Sequence, residues 1–65
     1  MKDTMYILFY TYENQEGMYD SDAEITYSIK KLKKMIADRK DCLEGFRIDR
    51  ILKVNDYEEL NEEDL

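Results

Sequence analysis

The chain contains no histidine, no proline, no tryptophan and a single cysteine, Cys42. Without histidine, the common zinc sites, Ser-His and Cys-His catalysis and imidazole proton transfer are excluded. One cysteine excludes an internal disulfide, and an unpaired thiol matches a reducing cytoplasm. Cys42 has no histidine to activate it and an acidic neighbour in Asp41, so it reads as a buried or semi-buried small hydrophobe. Apolar runs are short. The uncharged stretch from Thr4 to Tyr12 falls well below the ~20 residues of a membrane-spanning helix, and no small-residue cleavage site follows it. No Asp-x-Asp-x-Asp-Gly loop with a distal glutamate is present, which excludes that calcium site. No metal and no cofactor is implied. The missing Pro, Trp and His, beside abundant Lys, Ile, Tyr, Asn and Met, match the composition of an AT-rich genome.

What remains is 65 residues, enough for one domain spanning 1–65. Size scaling gives a folded surface of roughly 4,400 Å² against about 11,500 Å² unfolded, so the core is small. Domains of this size lean on disulfides, a metal or a partner subunit. The first two are excluded here, and a homodimer is expected.

Ten basic and sixteen acidic residues give a net charge of −6. Residues 1–29 carry −5, residues 30–40 carry +5, residues 41–54 are neutral and residues 55–65 carry −6. General nucleic-acid binding is disfavoured, because a phosphate backbone meets mostly repulsion. The acidic ends favour basic partners.

Thr4 to Tyr12 is rich in aromatic and branched residues and reads as a strand. Met5, Ile7, Phe9 and Thr11 lie on one face; Tyr6, Leu8, Tyr10 and Tyr12 lie on the other. Asn14 to Gly17 forms a turn, and Met18-Tyr19 returns as a short second strand, closing a hairpin. Ser21-Asp22-Ala23-Glu24 has the form of a capping box opening a helix. Its apolar stripe is Ile25, Ile29, Leu32, Ile36 and then Leu43, with Met35 widening it. Acidic residues in the first turn and Arg39 and Lys40 in the last complement the helix dipole. The helix is expected to end near Asp41, with Gly45 releasing the chain. Phe46 to Val54 reads as the final strand, with a bulge near Arg50-Ile51 where the alternation breaks. Asn55 or Asp56 caps a short helix carrying Tyr57 and Leu60, and residues 61–65 are expected to fray as an acidic tail. The predicted fold is α+β: a small antiparallel sheet (β-hairpin, helix, strand) with one amphipathic helix packed on one face.

A single helix covers one face of such a sheet. With Met5, Ile7 and Phe9 beneath it, Tyr6, Leu8, Tyr10 and Tyr12 form an exposed, partly polar contact surface. They serve either self-association or target binding, unless the C-terminal segment covers them through Tyr57 and Leu60. The acidic runs offer a second contact surface at Asp20, Asp22, Asp56, Glu58 and Glu59, with ordinary solvation as the simpler explanation. Lys30, Lys31, Lys33 and Lys34 form either a solvated helix face or a phosphate-contacting ridge. Catalysis needs a positioned acid, base, nucleophile or metal, and the pattern offers none, so an enzyme is not expected.

A Tyr-rich first strand, the Tyr12-Glu13-Asn14-x-x-Gly17 turn, one Lys-rich helix and a Gly45-Phe46 step into the last strand together resemble small acidic phage-encoded accessory proteins. Several of these, from phages of low-GC bacteria, inhibit host defence factors or host enzymes by stoichiometric binding, some as homodimers and some as acidic decoys. The resemblance implies a non-catalytic inhibitor of a host protein in the host-cell cytoplasm. The alternative is a small regulatory or structural accessory protein touching nucleic acid through the four lysines.

Overall fold

The branched and aromatic run near the start of the chain forms β1, Tyr6–Glu13, one of the two inner strands of the sheet. The computed structural model describes residues 4–65 and, at Asp56, the backbone alone. Asn14 closes the first turn with its own side chain, its Oδ1 accepting from the backbone N–H of Glu16 and of Met18. Gly17 takes the positive φ (78°) that the turn requires. The chain returns as β2, Tyr19–Thr26, crosses in α1, Ile29–Cys42, and re-enters the sheet as β3, Arg47–Lys53. A 3-10 turn at Val54–Asp56 leads to β4, Glu58–Leu60, and a second 3-10 turn covers Glu62–Asp64. The sheet order is β2-β1-β3-β4, with every neighbouring pair antiparallel. The fold is α+β, a four-stranded antiparallel sheet with one helix packed on one face.

Several expectations are corrected. The second strand is eight residues long, because Tyr19–Thr26 pairs along the whole of β1, from Tyr6↔Thr26 to Glu13↔Tyr19. That ladder outweighs the local cap offered by Ser21 and Glu24, so α1 begins later. Its N-cap is Ser28, whose hydroxyl accepts from the Lys31 N–H. The helix therefore has no acidic residue in its first turn, while Arg39 and Lys40 do occupy the last. Ile25 leaves the helical stripe altogether. Leu32 and Ile36 are buried, and Met35 and Leu43 pack against the core from its margin.

The two faces of β1 are also exchanged. Tyr6, Leu8 and Tyr10 point beneath α1 and are buried with Leu32, Ile36 and Ile51, and Tyr12 packs against this cluster. Leu8, Leu32 and Ile51 are wholly inaccessible. The covered face is the one with the larger side chains, which hides more area under a single helix. These four residues form no exposed contact surface, and the interface expected there is overturned.

The break in β3 falls one residue earlier than Arg50-Ile51. Phe9 pairs with Arg50 and Tyr10 with Ile48, leaving Asp49 as the extra residue. The bulge turns Ile48 and Ile51 to the same covered side. Beyond Val54 there is no α-helix. Tyr57 takes a left-handed conformation (φ 51°) and stands 87% exposed, while β4 pairs with β3 and Leu60 packs against the core. In residues 61–65, Asn61 and Asp64 close a capping box, Lys40 pairs with Glu62, and Leu65 packs against the core.

Candidate functional site

The polar groups nearest the core are tied to one another. Arg39 donates to Glu24 through Nε to Oε2 (2.8 Å) and Nη2 to Oε1 (2.6 Å), and the Tyr10 hydroxyl donates to Oε2 (3.1 Å). Hydrogen bonding from Arg39 holds the Glu24 carboxyl below its ordinary pKa, and Tyr10 adds to this. Burial is the main cause that pushes the Tyr10 phenol up. On the opposite face Thr11 bridges the two strands that flank β1, its hydroxyl meeting Ser21 on β2 at 3.0 Å and donating to Asp49 on β3 at 2.5 Å. That hydroxyl, followed by Arg47, lowers the Asp49 pKa. Both networks fasten strands and helix together, and their groups are consumed by one another.

The groups left for a partner lie elsewhere. Asn14 N–H donates to the Met18 carbonyl at 2.7 Å, which sets the alternation of the β1–β2 ladder. Asp20, Asp22, Glu24 and Thr26 therefore spend their backbone groups on β1. Tyr19, Ser21, Ala23 and Ile25 aim theirs at the open side of β2, an edge of the sheet. Among the described residues only the Ala23 N–H there is taken, by Asp22 Oδ1 at 2.8 Å. Asp20 binds the Asn14 amide (3.0 Å) and remains exposed, as does Asp22.

Of the predicted acidic surface, Glu58 and Glu59 sit on β4, at the far edge from Asp20 and Asp22. Three strand spacings, about 14 Å, separate the two sets. Glu59 is paired with Arg50 at 3.3 Å. The side chain of Asp56 lies outside the described residues. The other four acids do not converge, and of these only Asp20 and Asp22 flank the open backbone edge of β2. Lys30, Lys31, Lys33 and Lys34 are all exposed on α1.

The face of the sheet turned away from α1 escaped the sequence reading. One row across it runs Ile25, Ile7, Leu52, and the next runs Ala23, Phe9, Arg50. Ile25 is 57% exposed, and Ile7, Phe9 and Leu52 are half-buried, with no second layer above them among the described residues. Alternation in β1 marks this face as apolar, but says nothing about which side the helix takes. Among the described residues no helix is long and apolar enough to cross a membrane, and no group of three or more Cys, Asp or Glu side chains is arranged to hold a metal ion. Comparison with protein-family models, curated proteins and solved structures finds no match to this chain.

Proposed function

We propose that the chain is a non-catalytic protein-binding module that takes an extended, basic segment of a target protein along the β2 edge. The carrying observation is the open edge of β2, where the backbone groups of Ser21 and Ile25 and the Ala23 carbonyl face outward, with the exposed Asp20 and Asp22 on either side of Ser21. Strand addition takes its affinity from main-chain hydrogen bonds and its specificity from alternating side chains. Lysine or arginine at every second position of the added strand would meet the two aspartates. A net charge of −6 speeds encounter with such a partner.

The resemblance to small acidic phage proteins gives this module a setting: blockade of a host defence factor by stoichiometric occupancy in the host cytoplasm. The exposed free thiol of Cys42 fits a reducing compartment.

The test is titration of the ¹⁵N-labelled protein with a synthetic extended peptide alternating lysine and valine. Shifts confined to the amides of residues 19–26, abolished in Asp20→Lys/Asp22→Lys, support the reading. Shifts absent, or unaffected by that double variant, overturn it. A second reading rests on the exposure of Lys30, Lys31, Lys33 and Lys34. Salt-sensitive binding of duplex DNA or RNA, lost in Lys30→Glu/Lys34→Glu, would replace the proposal with nucleic-acid contact.

A further inference from the structure

We propose that the sheet face opposite α1 is a docking surface for a second copy of this chain, giving a two-fold dimer with the sheets stacked face to face. This is independent of the β2 edge, which runs along the side of the sheet and stays open in such a dimer.

Charge selects the occupant. A two-fold contact brings the same patch against itself, so the patch must not repel its own copy. The outer surface of α1 presents four lysines, and the exposed acids of β2 flank one edge. Either would oppose like charges if paired with itself. The face away from α1 is different. Its centre is Ile7, Phe9, Ala23, Ile25 and Leu52, and the charges over β3 and β4 come as opposite pairs. Arg47 contacts Asp49 at 3.2 Å, and Arg50 contacts Glu59 at 3.3 Å. Glu13 lies at the turn end of the same face, beside Tyr19. A chain that is acidic overall thus carries a mainly neutral, apolar surface that tolerates its own image.

Area sets the strength. Four strands about 4.8 Å apart and up to eight residues long, at ~3.4 Å per residue, present a face of about 19 by 27 Å. Because β4 has only three residues, the strands fill roughly 400 Å² of that rectangle, about half of the ~800 Å² per partner of a standard interface. So small a face is expected to give a weak dimer, with a dissociation constant in the micromolar range. Sheets packed in this way sit ~10 Å apart with strands within about 30°, and their facing side chains interdigitate. The chain would gain a second core layer that its single helix cannot supply.

Sedimentation equilibrium tests this. At about 200 μM, well above a micromolar dissociation constant, the mass should be twice the 7.9 kDa of the chain. At about 1 μM it should fall toward one chain, and the thermal midpoint should fall with dilution as for any linked assembly. Ile25→Lys and Phe9→Lys should remain monomeric at the higher concentration with an unchanged far-ultraviolet dichroism spectrum. Lys34→Glu, on the far side of α1, should dimerise like the parent. If Phe9→Lys does not fold, Ala23→Lys, at an exposed position on the same face, decides in its place. A parent chain that is monomeric at about 200 μM overturns the proposal. So does a dimer that survives the sheet-face lysines, or one that Lys34→Glu dissolves.

Discussion

Arg39, in the last turn of α1, grips both carboxylate oxygens of Glu24 on β2, at 2.8 and 2.6 Å. The pair fastens the C-terminal half of the helix to the edge strand, and the Tyr10 hydroxyl joins it from β1. Bidentate geometry is the property of arginine used here, and lysine does not reproduce it. Both side chains are about one-third exposed, which limits the pair's worth through solvent screening.

Glu24→Gln and Arg39→Lys should each destabilise the fold by about 1 kcal/mol. For a domain of this size that lowers the thermal midpoint by about 4–8 °C. Thermal melts followed by circular dichroism provide the check. The double variant should cost less than the sum of the singles, since both remove one interaction.

Acid should weaken the fold through the same groups. Arg39 hydrogen bonding depresses the folded pKa of Glu24, and the Thr11 hydroxyl, with Arg47, depresses that of Asp49. A depressed carboxyl contributes stability that is present above its unfolded value, about 4.3 for Glu and 3.9 for Asp. That contribution is lost as pH falls through the lower, folded value. Denaturant midpoints measured from pH 7 down to about 2 should therefore decline below about pH 4. The decline should be shallower in Glu24→Gln.

The exchanged faces of β1 are open to a direct test. Leu8 is wholly buried, whereas Ile25 is 57% exposed. Leu8→Ala should cost about 2–5 kcal/mol, enough to unfold much of so small a domain. Ile25→Ala, measured at a low concentration where the chain is monomeric, should cost less than about 1 kcal/mol. Equal costs in urea unfolding would contradict the burial described here.

Gly45 sits at φ 62°, and a β-carbon there would lie 3.5 Å from Glu13 Cβ, an ordinary contact. Space is therefore not the obstacle; the left-handed backbone is. Gly45→Ala should destabilise by about 1–2 kcal/mol. Gly45→Asn should cost less, because asparagine tolerates that region. Urea midpoints of the two variants give the comparison.

Periodicity carried some of this architecture and misled elsewhere. The spacing of Leu32, Ile36 and Leu43 marks the buried side of α1, and the aromatic run marks β1. Ser21 to Ile25 satisfied two local patterns at once, a capped helical turn and an alternating strand. Pairing with β1 decided between them, and no residue within the segment reports on that partner. The bulge at Asp49 was legible as a break in alternation, but its position depends on the register against Phe9 and Tyr10. The candidate surfaces were hidden for the same reason. An open strand edge and an uncovered face are defined by what fails to pack against them.

The amino-acid sequence alone determined that these 65 residues hold no histidine and no internal disulfide, that one strand opens the fold, and that one amphipathic helix follows with arginine and lysine in its last turn. Those properties are local, set by composition and by repeats of two or of three to four residues. Only the tertiary structure decided that Tyr6, Leu8 and Tyr10 lie inside, that Tyr19–Thr26 is a strand, and that Asp20 and Asp22 border an open edge. Both faces of β1 are apolar, so its alternation distinguishes two sides without ranking them. The side on which α1 crosses between β2 and β3 ranks them, and that is a choice made by contacts distant in sequence.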